Sequence, residues 1–132
     1  MGLLDIIYAK LVADGVGDDD SNISADWPVK IAVMTDETTN MIGLQSTGGY
    51  RQDTQLGENL LQTFQVSVRA GNYPDAEAKW YEVFNSLNDA DLSASGIYLI
   101  QAMSSGPLVV GQDQKDRFVL TVNFNVVRAN PA

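Results

Sequence analysis

Four groups of residues in this chain have types and spacings that could do chemistry. Asp18, Asp20 and Asn22 stand at alternate positions, as the first oxygen ligands of a calcium loop do. Such a loop needs glycine at its sixth position for the turn and a bidentate glutamate at its twelfth, and here those positions hold Ile23 and Val29. The spacing therefore argues against calcium. Gly48-Gly49 would let backbone approach a phosphate, but no Gly-Lys-Ser/Thr follows and no helix opens there, so a turn glycine pair is expected. The pairs Asp89 with Asp91 and Asp113 with Asp116 would supply acid–base catalysis if apolar surroundings drove their pKa values apart. Their neighbours in sequence are polar, and solvated loops account for them. Trp80 and Tyr81 side by side could cage a ligand, yet Trp80 falls on an apolar helical stripe and is expected in the core.

What is missing excludes more than what is present suggests. The chain has no histidine and no cysteine, so it lacks the commonest general base, the commonest nitrogen ligand for zinc, a thiol nucleophile and any disulfide. We expect no catalytic residue, no metal and no cofactor. Formal net charge is -9 and the sequence pI is about 4.1. Affinity for nucleic acid comes largely from lysine and arginine displacing counterions, and Lys10, Lys30, Arg51, Arg69, Lys79, Lys115, Arg117 and Arg128 are scattered through the sequence. An acidic surface could instead line a channel through which DNA slides without sticking. Met1 to Ile7 is too short for a signal peptide and carries an acid where base is expected. No apolar run approaches the roughly 20 residues that span a bilayer, so we expect a soluble protein without membrane contact. Asn22-Ile23-Ser24 matches a glycosylation sequon, a pattern short enough to arise by chance.

The elements that would position these residues follow from periodicity. Leu3, Leu4, Ile7, Tyr8, Leu11 and Val12 recur at helical spacing, predicting a first helix that ends near Asp14-Gly15. An acidic loop follows from Gly15 to Asp26. Val29 to Met34 alternates as a strand with Val29, Ile31 and Val33 on one face, and with the short strand Met41 to Leu44 it suggests a hairpin. From Gln45 to Asn59 the chain is polar and glycine-bearing, and a loop of that length in a compact domain is usually functional or disordered. Thr63 to Ala70 alternates cleanly, with Phe64, Val66 and Val68 facing inward. Gly71-Asn72-Tyr73-Pro74 then starts a helix running to Leu87, with Ala76, Trp80, Val83, Phe84 and Leu87 as its apolar stripe. Strands are expected at Ile97 to Met103, at Leu108 to Val110 and, after a polar tip at Gln112 to Asp116, along a long final stretch in which Phe118, Leu120, Val122, Phe124 and Val126 alternate with polar or apolar partners. The expected fold is α+β: a single domain over residues 1–132, with a mostly antiparallel sheet, an N-terminal helix and a second amphipathic helix packed on one face.

The order and spacing of these segments carry a resemblance. Asn40-Met41-Ile42-Gly43-Leu44 running into Thr47-Gly48-Gly49-Tyr50, then Phe64 to Ala70, Tyr73 to Ala78 and Val83 to Asn88 carry it. Gly106 to Gly111 and Arg117 to Phe124 complete it, over roughly residues 3–128. The chain resembles the tail terminator and minor capsid proteins of tailed phages. That resemblance implies a structural virion protein forming a ring, usually of six subunits, at the head-proximal end of a tail, where it ends tail-tube polymerisation and presents a surface to the neck. Its implied partners are further copies of itself, the tail tube protein and a neck or head-completion protein. DNA passes through the lumen without specific binding. The implied location is the tail–neck junction of the virion, with the host cytoplasm during assembly. The candidate contacts to neighbours or axial partners are Gly48, Gly49, Tyr50 and Arg51 in one loop, Gln112, Asp113 and Lys115 at the hairpin tip, and Arg69 and Arg117, which with Arg51 would pair acids across an interface. A head-side neck or head–tail joining protein is the alternative within the same structural class. A carboxylate-based enzyme or small-ligand binder is the alternative outside it.

Overall fold

The structure, a computed structural model, describes residues 2–19, 26–35, 38–49 and 59–129. Helix α1 (Leu3–Ala13) precedes strands β1 (Val29–Ile31), β2 (Met41–Gly49) and β3 (Asn59–Ala70). Helix α2 (Tyr73–Leu87) and a 3-10 turn at Ser93–Ser95 lead to β4 (Ile97–Ala102), β5 (Leu108–Gln112) and β6 (Phe118–Ala129). The strands form one six-stranded sheet in the order β1-β2-β3-β6-β4, with β5 lying beside the first half of β6. Every pairing is antiparallel except β1 with β2. The α+β class read from the sequence is the class observed.

Helix α2 begins where its sequence says it should. The Asn72 side chain accepts from the Asp75 backbone N–H at 3.0 Å, and Pro74 stands in the first turn, where no amide partner is needed. Its inward stripe is Ala76, Lys79, Trp80, Val83 and Leu87. Trp80 is wholly buried and donates its indole N–H to the Thr121 carbonyl of β6 at 2.8 Å, which satisfies the one polar atom it takes inside. Phe84, half-buried, stacks on Trp80 with ring centroids 5.4 Å apart. At the far end Asn88 accepts from the Ala102 N–H at 2.8 Å, tying the helix to β4.

Beneath the helices, β3 and β6 pair without a break from Asn59 opposite Ala129 to Ala70 opposite Phe118. Phe64 faces Phe124 across this pair, stacked with centroids 5.1 Å apart, and Val66, Val68, Leu120, Val122 and Val126 extend the same buried face. These are the positions that alternation marked as inward.

The β1 region departs from expectation. β1 stops at Ile31, because Ala32 takes a left-handed φ of 73°, and Val33 is 65 % exposed rather than part of a strand face. Nor is there a hairpin: the chain crosses back, so β1 runs parallel to β2. β2 also continues past Leu44 to Gly49, which makes Gly48-Gly49 a strand end with an irregular register opposite β3, and not a turn pair. A side chain at Gly49 would meet the backbone of Leu61 and Gln62, so this close approach requires glycine. The part of the expected loop at residues 50–58, with Tyr50 and Arg51, lies outside the described residues, as do Asp20, Asn22 and Ile23 of the calcium-like run.

Candidate functional site

Two arginines and a hairpin organise one end of the sheet. Arg69, near the end of β3, and Arg117, just before β6, are both buried. Backbone carbonyls in the connection between β1 and β2 have no ladder partner, and a buried carbonyl must find a donor. Arg69 supplies it: its guanidinium donates to the carbonyls of Thr35 (2.6 Å), Thr38 (2.6 Å) and Thr39 (3.2 Å). Arg117 reaches the Thr38 carbonyl at 3.3 Å from the other side. Its Nε and second terminal nitrogen both lie 2.7 Å from one carboxylate oxygen of Asp113. The other Asp113 oxygen accepts the backbone N–H groups of Lys115 (2.9 Å) and Arg117 (3.0 Å), which closes the β5–β6 hairpin. The Arg117 guanidinium first, and these backbone donors after it, hold the Asp113 carboxyl at a pKa of about 2.

Arg69, Asp113, Gln114, Lys115 and Arg117 line a shallow polar cleft of about 250 Å³. Its one carboxylate is engaged by Arg117. Among the described residues no group of three or more acidic, histidine or cysteine side chains could hold a metal ion, and no helix is long and apolar enough to cross a membrane. Asp91 accepts from Ser93 in its own loop, which lowers its pKa, a local turn rather than one half of a catalytic pair.

The residues singled out in the sequence therefore fall in two places. Gly48 and Gly49 are exposed where β2 ends beside Gln62, and the end of the sheet bearing Arg69, Gln112, Asp113, Lys115 and Arg117 is roughly 24 Å away by strand rise. Gln112 and Lys115 are exposed, Asp113 partly so, while Arg69 and Arg117 bind their own chain.

A further surface escaped sequence reading. Leu108, Val109 and Val110 of β5 are consecutive and all exposed, at 48 %, 55 % and 67 %. Alternation should bury one in two, so both faces of this edge are open. Tyr98 and Leu99 of β4, and Met103 just after it, are also exposed. The signal was in the sequence: no charged residue occurs between Asp91 and Asp113, the longest such interval in the chain.

With this geometry in view, comparison with known proteins is decisive. The family model described as "Bacteriophage tail terminator protein" matches residues 11–130. The chain belongs to the bacteriophage tail terminator family. As a tail terminator family member it is a structural protein of a phage tail. The fold is similar to a chain in the solved virion of a native gene transfer agent particle, with TM-score 0.69 at 18% identity, covering 96% of this chain and 94% of that one. Among curated proteins none matches this chain.

Proposed function

We propose that this chain, acting over residues 1–132 as one terminator domain, forms a ring of six subunits at the head-proximal end of a phage tail. The ring caps the tail tube, stops its polymerisation and offers the neck a docking surface. The observation that carries this reading is the tail terminator family match across residues 11–130. Two features of the molecule support it. The arginine-braced end of the sheet presents a rigid, polar tip suited to an axial contact, and the chain's charge of -9 suits a lumen through which DNA must pass without binding. The partners are further copies of the chain, the tail tube protein and a neck protein, joined in the host cytoplasm and retained at the tail–neck junction.

Electron microscopy of lysates from the parent phage with this gene deleted tests the assignment. Overlong tubes without heads are expected, because polymerisation has lost its stop. Tails of normal length beside unattached heads would move the protein to the head side of the junction.

A further inference from the structure

Among the described residues four basic side chains are buried: Arg69, Lys79, Arg117 and Arg128. The first three are met by their own chain, Arg69 by backbone carbonyls, Lys79 by the Val16 carbonyl and Glu82, and Arg117 by Asp113. Arg128 is not. It is 5 % exposed, its Nε is buried without an acceptor, and no carboxylate of the described residues pairs with it. An arginine cannot shed its charge, and a buried charge left alone is costly. Its strand cannot move aside, because the backbone is fixed between Leu60 of β3 and Ile97 of β4, with the Ala129 N–H bonded to the Gly96 carbonyl at 2.9 Å. On the same face, diagonally across the β3–β6 pair, Gln62 stands opposite Val126 and leaves its Oε1 buried without a donor. A donor and an acceptor both unmet at one corner mark a place that a single chain leaves incomplete.

We propose that Arg128 receives a carboxylate from the next copy of the chain, at the end of the sheet away from the brace formed by Arg69 and Arg117. This rests on the ring reading above and names a contact that helps to build it. An acidic side chain fits because a guanidinium takes a carboxylate through two parallel hydrogen bonds. A nucleic-acid backbone fits poorly, since its affinity comes from several cations acting together, and Arg128 is single and buried. Charge favours a second copy as the source. Each chain carries 17 acidic against 8 basic side chains, so every copy has acids in excess, and copies of like charge repel unless opposite charge is offered where they meet. Arg128 is the buried cation that its own described residues leave without a partner. Salt screens a buried pair of this kind only weakly. A receiving arginine on one copy and an acid on the next make a head-to-tail contact, which closes into a ring when its rotation permits.

Arg128→Lys puts an amine where the guanidinium stood, and a carbodiimide joins an amine to a carboxylate only when the two touch. The variant is supplied in trans to phage lacking the gene, and purified particles are treated beside wild-type particles. The expected product is a covalent dimer of the chain, specific to the variant, whose new amide maps by mass spectrometry to position 128 of one copy and an acid of another. Joining to a different virion protein, or no variant-specific product in particles that contain the chain, would overturn the proposal and leave the ring reading intact. Wild-type particles that lack the chain would overturn both. Arg128→Met gives a measurement independent of cross-linking. Removing an unmatched buried charge should leave the thermal melt of the purified chain at or above that of the wild type, while incorporation into particles falls at least about tenfold. Normal incorporation would overturn the contact. So would lost incorporation with a lowered melt, by showing that Arg128 serves the fold of its own chain.

Discussion

At the scale of single residues, burial changes what a charged side chain means. Arg69 and Arg117 looked in the sequence like surface cations available for neighbours, and the fold turns both inward onto carbonyls and Asp113 of the same chain. Lys79 behaves similarly. It sits on the buried stripe of α2, donates to the Val16 carbonyl at 2.8 Å, pairs with Glu82 and lies over the Trp27 ring. Sequence pattern marks such a residue as polar and outward, because a side chain's partner cannot be seen from its own position. Asp113 gives this scale its prediction. Its folded pKa of about 2 lies below the ordinary aspartate value of 3.8, so its contribution is fully present above that ordinary value and is lost as pH falls through about 2. Urea melts of the wild type between pH 5 and pH 2 should therefore show a fall in stability that Asp113→Asn reduces. Identical pH profiles for the two proteins would mean that the Arg117 pairing contributes nothing to the fold.

At the scale of elements, the helix and the two long strands were legible because their signals are local and repeated. α2 runs from Tyr73 to Leu87 as its cap and stripe predict, and the inward faces of β3 and β6 are those that alternation marked. β1 and β2 were legible as strands, but not in their extents or in the direction of their pairing. The three residues of β1 carry too little period to fix where it ends, and the segment between the two strands is held by Arg69 from thirty or more residues away. Trp80 tests the helix–sheet contact. Trp80→Ala removes the largest buried side chain of the core together with its hydrogen bond to Thr121, and should cost about 3–5 kcal/mol in chemical denaturation. A loss below about 1 kcal/mol would show that the helix is held to the sheet chiefly by other contacts.

At the scale of the whole molecule, charge and shape oppose one another. A net charge of -9 keeps copies apart, while the exposed apolar side chains Leu108, Val109 and Val110 favour contact. Self-association should accordingly strengthen with salt. Raising ionic strength from about 0.02 to about 0.5 M shortens the screening length from roughly 20 to roughly 4 Å, which removes most of the repulsion and leaves apolar contact untouched. Sedimentation at fixed protein concentration should show the mean mass rising over that range. A mass that falls with salt would instead mean that ion pairs between copies dominate the contact.

The sequence by itself determined the α+β composition, the identity of the core face, the start and end of α2 and the exclusion of histidine and cysteine chemistry. Each of these depends on residue type or on spacing within one element. Only the tertiary structure decided that β1 runs parallel to β2, that Arg69 and Arg117 brace their own chain, and that Leu108, Val109 and Val110 of β5 are all exposed. Strand order and burial of an edge depend on which distant segments meet, and a periodic pattern records that a face is buried without recording what buries it.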